Sequence, residues 1–366
     1  MRIVFAGGGT GGHLYPGLAI ARELVRLDPS VKPFFVGALR GVEREVLPTT
    51  EFPHLLLDLH PLYRPAIWNN WKTIRGAITS WRKIGRMVRE ERPALVVGTG
   101  GYAAGLMLGY AVVHKIPIVQ QAGDSHPGIT ARMFAPWSRQ IYLAFPEAAS
   151  VFDFDLKDRH RLIDAGAPIA PPPEPLPDKA AARERWGFPA TGGRVLLIYG
   201  GSQGSLVINK AVAEWVKGGI PDDLYVIWAT GRGTYEQFKR LDSPRVRVKD
   251  YLSPISEAYA ASDIALARAG AMTTAELFAW KIPGILIPLP TAAADHQSLN
   301  ARALEAAGAA IHLPQSTLTA HELAKTVAGV LASPTRMNQL AERSALRARP
   351  FAARDIAERI LALVSP

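Results

Sequence analysis

Short apolar runs, each ending in glycine or a polar turn, recur along the chain with helix-forming stretches between them. Arg2–Ala6, Leu95–Gly98, Ile118–Gln120, Arg194–Tyr199, Leu224–Trp228, Ile264–Ala267 and Gly284–Ile287 are continuous enough to be strands buried on both faces. Pro33–Val36 and Val246–Lys249 join them. Helices are expected over Pro16–Leu27, with proline in the first turn, from Tyr102 to about Val113, up to about Lys217, over Ala271–Trp280, and from near Asp295. An amphipathic helix over Phe351–Val364 ends the pattern. Between 62 and 92, Trp68, Trp71, Ile74, Ile78, Trp81, Ile84 and Val88 recur at helical spacing, and the stripe from Ile74 to Val88 is expected to be core.

Strands alternating with helices predict an α/β protein with parallel sheets. Asp164–Pro177, containing Ala170-Pro171-Pro172-Pro173-Glu174-Pro175, reads as a stiff extended linker, and a second strand series begins at Arg194. A chain of 366 residues exceeds one ordinary core. The break places two doubly wound domains at roughly 1–165 and 175–350, with 351–366 as a closing helix.

Four strand-to-helix turns carry the candidate chemistry: Gly7-Gly8-Gly9-Thr10-Gly11-Gly12-His13, Thr99-Gly100-Gly101-Tyr102, Gly200-Gly201-Ser202-Gln203-Gly204-Ser205 and Arg268-Ala269-Gly270. Ligands of open α/β sheets bind at such strand ends, and the unpaired N–H groups of a helix start suit phosphate. The first turn spells the dinucleotide fingerprint G-x-G-x-x-G, but the second strand ends in Gly37-Ala38 instead of an acid for an adenosine ribose. A nicotinamide or flavin enzyme is therefore only the runner-up. Thr273 and Thr274 offer hydroxyl donors, Glu276 can accept from two neighbouring sugar hydroxyls, and Gln297 and Asn300 share one helix face. Read alone, this is also an ordinary βα unit with a good helix start, and His13 is also a helix cap. Asp153-Phe154-Asp155 spells D-x-D, a metal-binding signature, but no strand precedes it and it reads as chance.

Composition narrows the partners. There are no cysteines, which removes disulfide and thiolate chemistry. The net charge of +10 and a pI near 9.8 favour an anionic partner. No nucleic-acid-binding signature appears, which leaves phosphorylated substrates or an anionic membrane face. Lys72, Arg75, Arg82, Lys83, Arg86 and Arg89 interleave with the tryptophan stripe, so the loop before it, Trp68 and Trp71 are candidate lipid contacts. Neither a signal peptide nor a membrane span is read, and the expected location is the cytoplasm, peripheral on the inner membrane face.

The turns resemble those of MurG-like glycosyltransferases: G-G-G-T-G-G-H-x-x-P from Gly7 to Pro16, G-G-Y-x-x-G from Gly100 to Gly105, and G-G-S-Q-G from Gly200 to Gly204. Arg268, Gly270, Ala271, Thr273 and Glu276, then Asp295, His296, Gln297, Asn300 and Ala301, match two further patterns, and the likeness spans almost the whole chain. The resemblance implies the GT-B fold, two Rossmann-like domains facing across a cleft, and a UDP-sugar donor used without an obligatory metal or other cofactor. It puts Thr10, Gly11, Gly12, Ser202, Gln203, Gly204, Asn209, Arg268, Gly270, Ala271, Met272 and Thr273 around the donor. It also implies Tyr251 and Leu252 beside uracil, Glu276 on the ribose, and Gln297 with Asp295, His296 and Asn300 near the donor sugar. Gly101, Tyr102 and Asp124 fall on the acceptor side; His13 is the first candidate base and Asp124 the second.

The implied reaction is inverting transfer of N-acetylglucosamine from UDP-GlcNAc to a polyprenyl-pyrophosphate-linked muramyl peptide. Three departures stand against the pattern. Gln121-Ala122-Gly123-Asp124 replaces H-E-Q-N, Leu106 replaces a proline, and Gly166-Ala167-Pro168-Ile169-Ala170 replaces G-N-P-V-R. The first makes another lipid acceptor, such as diacylglycerol, or a small molecule a rival. A sugar-nucleotide epimerase or a non-catalytic binding module is the reading from another class.

Overall fold

The computed structural model describes residues 1–59, 71–201 and 203–364, with backbone only over 71–75. Trp68 and Ser202 lie outside the described residues, as do the side chains of Trp71, Lys72, Ile74 and Arg75. The chain divides into two compact units, Met1–Ala170 with Phe351–Pro366, and Pro171–Pro350.

The first unit contains β1 (Arg2–Gly7), α1 (Gly11–Leu27), β2 (Lys32–Ala38), the single turn α2 (Glu43–Val46), β3 (His54–Leu57), α3 (Trp71–Glu91), β4 (Leu95–Gly100), α4 (Tyr102–Val113), β5 (Ile118–Ala122), α5 (Ile129–Phe134), β6 (Ser138–Leu143) and β7 (Leu162–Asp164). The second contains α6 (Lys179–Arg185), β8 (Arg194–Tyr199), α7 (Leu206–Gly218), β9 (Leu224–Ala229), α8 (Tyr235–Phe238), β10 (Val246–Lys249), α9 (Ser256–Ala261), β11 (Ile264–Ala267), α10 (Ala271–Ala279), β12 (Gly284–Leu286), α11 (His296–Ala306), β13 (Ala310–His312), α12 (Ala320–Leu331) and α13 (Pro334–Arg347). The last helix, α14 (Ala352–Val364), belongs to the first unit.

Each unit is built on one parallel sheet, ordered β3-β2-β1-β4-β5-β6-β7 in the first and β10-β9-β8-β11-β12-β13 in the second. The central strands are apolar throughout because both of their faces are covered. In β1, Ile3 and Phe5 enter one core while Val4 and Ala6 enter the other. In β8, Leu196 and Ile198 point to one side, and Val195, Leu197 and Tyr199 to the other. The apolar stripe Ile356, Ala357 and Ile360 of α14 is fully buried with Leu14, Leu18, Ala21 and Leu24 of α1. Strand order reverses between β1 and β4 and between β8 and β11, so the connections leave toward opposite sides and open a crevice at the strand C-termini.

Three differences from the sequence expectations have physical causes. The first helix starts at Gly11 instead of near Pro16, because the extended Thr10 turns the chain directly into it. Pro16 then sits inside the helix, where it forgoes only one backbone donor. Strands β3, β7 and β13 escaped the apolar pattern because they are sheet edges of three or four residues, and the inner strand β6 escaped it because Ser138, Arg139 and Gln140 open it with polar residues. In α3, Ile84 and Met87 are buried and Trp81 packs on Tyr110 at 4.8 Å, but Ile78 is 55% exposed and is not core. Among the described residues no helix is long and apolar enough to cross a membrane.

Candidate functional site

In the second unit the switch point holds a buried cation. Arg268 follows β11, and its guanidinium donates to the carbonyls of Ile287 (3.1 Å) and Pro288 (2.9 Å) and to the Ser205 hydroxyl (2.7 Å). All three partners are neutral. Burial pushes its pKa down to about 10, with no carboxylate offsetting the shift, so the group remains charged at pH 7. Ser205 caps α7, so the cation ties the β8–α7 turn to the strand ends of β11 and β12.

That turn is held from below. Gly204 and Gly231 have φ of +74° and +83°, and a side chain on either would run into the backbone of the other's loop. Asn209 is 1% exposed; its amide donates to the Thr230 carbonyl (2.7 Å) and the Thr234 hydroxyl (2.9 Å), and its oxygen accepts from Trp228 Nε1 (3.0 Å). Asn300 is likewise fully buried and donates to the Ala269 carbonyl (3.2 Å). Both amides were expected around the donor. In the structure they hold the loops, as an amide this deep finds partners within the protein. Gln203 is exposed in the turn.

Helix α10 opens at Gly270, and Ala271, Met272 and Thr273 in its first turn are half-buried. One turn on, Glu276 Oε2 accepts from the Tyr259 hydroxyl (2.8 Å), Tyr259 meets the Tyr199 hydroxyl (3.1 Å), and Tyr199 meets Thr273. A carboxylate only accepts, so the protons run one way: Thr273 to Tyr199, Tyr199 to Tyr259, Tyr259 to Glu276. Burial raises both tyrosines, which keeps them donors. Burial also pushes the Glu276 carboxyl above the usual glutamate range, and the Tyr259 bond restrains the rise. Sequence reasoning missed both tyrosines because Tyr199 and Tyr259 lie 60 residues apart, on different elements.

The remaining second-unit positions are more open. Tyr251 is 44% exposed with Arg232 over its ring at 5.2 Å, and Leu252 beside it is buried. Ala294 and Asp295 have φ of +54° and +56°, two successive non-glycine residues in left-handed conformation just before α11. Such strain costs on the order of 1–2 kcal/mol per residue and tends to mark functional loops. Asp295 accepts from Ser298 (2.6 Å) and His296 begins the helix. The Gln297 oxygen accepts from the Leu289 N–H (3.0 Å), which aims its amide nitrogen to donate.

In the first unit, Thr10 is the extended residue before α1, Gly11 and Gly12 open the helix, and His13 completes its first turn. His13 Nδ1 lies 3.2 Å from the Gly8 carbonyl and 3.2 Å from the Thr10 hydroxyl. The ring packs on the backbone of Gly100 and Gly101, where Cβ atoms would collide with it, and the two loops are joined by Gly8 N–H donating to the Gly100 carbonyl (3.3 Å). Gly101 caps α4, Tyr102 lies against Gly9, and Thr130 donates to the Gly101 carbonyl (3.3 Å). Asp124 sits half-buried in the bend after β5. Gln121, where the related pattern has histidine, is 2% exposed with neither amide atom bonded among the described residues. Asp155 of the D-x-D triplet pairs with Lys157 at 3.7 Å, and Asp153 is exposed in coil.

Against this geometry stand the comparisons. Residues 3–143 match the glycosyltransferase family 28 N-terminal domain and residues 195–360 the family 28 C-terminal domain. A UDP-N-acetylglucosamine--N-acetylmuramyl-(pentapeptide) pyrophosphoryl-undecaprenol N-acetylglucosamine transferase of Salinibacter ruber is 37% identical over 99% of this chain and 96% of its own length. The enzyme of that name from Carboxydothermus hydrogenoformans is 35% identical, covering 100% and 98%. The crystal structure of Acinetobacter baumannii MurG superposes with a TM-score of 0.78 at 23% identity, covering 99% of each chain. A UDP-GlcNAc 2-epimerase of Neisseria meningitidis superposes at 0.64 with 12% identity over 99% of this chain and 100% of its own, a likeness of fold alone.

The raised Glu276 carboxyl makes two opposed pH dependences. In the unliganded protein its ionised form is disfavoured relative to the unfolded chain, so stability is lost as pH rises from the usual glutamate range through the raised value. A ligand whose hydroxyls donate to the carboxylate needs that ionised form. Glu276→Gln is therefore expected to gain thermal stability over wild type as pH rises toward 7, while the UDP affinity of wild type rises over the same window and that of the variant stays flat. Melting curves and calorimetry between pH 4 and 8 check both.

Proposed function

The chain belongs to glycosyltransferase family 28, among its MurG-like members, and from that premise we infer that it transfers N-acetylglucosamine from UDP-N-acetylglucosamine to N-acetylmuramyl-(pentapeptide) pyrophosphoryl-undecaprenol. The observation that carries the donor half is the uncompensated Arg268 guanidinium beside the β8–α7 turn and the start of α10. A diphosphate is the counter-charge that such a place lacks. Glu276 takes the ribose hydroxyls, the Gln297 amide a hydroxyl of the sugar, and the exposed face of Tyr251 borders the base.

In the reaction, His13 accepts the proton of the acceptor hydroxyl, the hydroxyl oxygen bonds to the anomeric carbon, and the bond to UDP breaks with inversion. Asp124 orients the acceptor or His13, and is the second candidate for base. Charge growing on UDP is met by Arg268 and by the N–H groups opening α7 and α10, and base removal typically slows such chemistry ~10²–10⁴-fold. The cation at the diphosphate is the arginine, so no bridging divalent metal is required. Labelled UDP-N-acetylglucosamine supplied with the lipid-linked muramyl peptide is expected to give labelled lipid and UDP in equal amounts, with or without EDTA. Transfer to diacylglycerol but not to the muramyl lipid would overturn the acceptor. Free sugar released without acceptor would overturn the transferase, and loss in EDTA restored by Mg²⁺ the metal-free route.

The acceptor lipid calls for a membrane-facing surface. Arg82, Lys83, Arg86 and Arg89 project from α3 beside the exposed Ile78, and the first three line a hollow of 440 Å³ with Phe34, His54, Leu55 and Met87 and with two acids, Glu90 and Glu91. Near an anionic surface each basic residue adds about 1 kcal/mol, weakening with salt. Replacing Arg82, Lys83, Arg86 and Arg89 by glutamine is expected to weaken sedimentation with anionic vesicles at low salt and leave UDP affinity unchanged; undiminished binding would move the membrane surface elsewhere.

A further inference from the structure

Beneath the first glycine loop lies a buried carboxylate that the catalytic reading does not use. Glu43, in the single turn α2, is 0% exposed. Its Oε1 accepts from the Gly9 N–H (2.8 Å) and from the Ala38 N–H at the end of β2 (3.1 Å). Gly8, Gly37 and Gly41 surround it, and a Cβ on any of the three would occupy the space its side chain fills. The glycines around this turn are thus the cradle of a carboxylate, and the Gly9 N–H is already spent and is no donor to a substrate phosphate.

The other oxygen, Oε2, is buried without a hydrogen-bond partner among the described residues. A half-satisfied buried carboxylate is a poor stabiliser, since its desolvation is only partly offset. What its Oε1 does hold is the path of the loop: Gly8 and Gly9 are fixed at φ of +149° and +91°. That path presents the Gly8 carbonyl to His13 Nδ1 at 3.2 Å. A carbonyl only accepts, so its contact with Nδ1 is a hydrogen bond only in the tautomer that carries the hydrogen on Nδ1, the Thr10 hydroxyl then accepting beside it, and in that tautomer Nε2 keeps the lone pair that can take a proton.

We propose that Glu43 is a positioning residue that, by clamping Gly9 and so aiming the Gly8 carbonyl, holds His13 in the tautomer whose Nε2 is the base. The proposal rests on the reading of His13 as base for its kinetic consequence, but not for its tautomeric one. Two-bond ¹H–¹⁵N spectra of the imidazole ring read the tautomer directly, with His13→Gln identifying the resonances. Wild type is expected to show a protonated Nδ1 and an unprotonated Nε2, and Glu43→Ala a mixture of both tautomers. Glu43→Gln keeps an oxygen for the Gly9 and Ala38 N–H groups and is expected to retain the wild-type spectrum. In turnover of UDP-N-acetylglucosamine with the lipid-linked muramyl peptide, Glu43→Ala should lose kcat by at least about tenfold with little change in the donor KM, and Glu43→Gln should stay within about threefold. A wild-type ring protonated on Nε2, or an unaltered tautomer and kcat in Glu43→Ala, overturns the proposal. If Glu43→Ala does not fold, the wild-type spectrum and the Glu43→Gln rates still decide it. If instead His13→Gln retains full turnover, it is the assignment of the base that fails, while the spectra still judge the tautomer.

Discussion

A buried positive charge with only neutral partners among the described residues organises the second unit. Enclosing the Arg268 guanidinium without a carboxylate costs on the order of several kcal/mol, and two carbonyls and a hydroxyl offset only part of it. The surroundings are arranged to keep it there. Gly204 and Gly231 let the two adjacent loops touch, and Asn209 pins them through Thr230 and Trp228. Ser205 serves at once as helix cap and as partner of the guanidinium. The helix starts of α7 and α10 then add their own partial positive charge at the same switch point.

The first unit uses the same fold with the opposite sign. Its equivalent switch point carries a buried carboxylate, Glu43, under the glycine loop, and the N–H that would serve a phosphate binds that carboxylate instead. A glycine-rich turn between strand and helix is therefore not in itself an anion site. What the loop presents is set by the side chain beneath it, and here it presents a histidine braced on two backbone loops. In the function proposed above, the second unit's buried cation would meet the donor diphosphate and the first unit's histidine would take the proton.

The doubly wound architecture was legible because both faces of β1 and β8 are covered, which makes their residues apolar without interruption. The short edge strands β3, β7 and β13, and the inner strand β6 with its polar start Ser138-Arg139-Gln140, carry no such run and were not expected. Arg268, Glu276 and Gln297 could be named as candidates because they stand in local patterns of spacing around helix starts. Asn209 and Asn300 share that spacing, yet their amides turn inward, a direction that only the packed structure reveals. Tyr199, Tyr259 and Glu43 act across tens of residues or through the backbone of another loop. Glu43 stands five residues beyond the end of β2, outside the position where an acid for a ribose would be sought, and reaches the Ala38 N–H from α2.

The central claim, that the unpaired Arg268 exists to meet a diphosphate, is tested most directly by comparing UDP with uridine in calorimetric titrations of wild type and Arg268→Gln. The nucleoside shares every contact except the phosphates, so it also reports whether the variant keeps its loops in place. The account predicts that Arg268→Gln loses about 10- to 100-fold in UDP affinity, the scale of a hydrogen bond to a charged group, while uridine affinity changes little. An unchanged preference for UDP over uridine in the variant would contradict it.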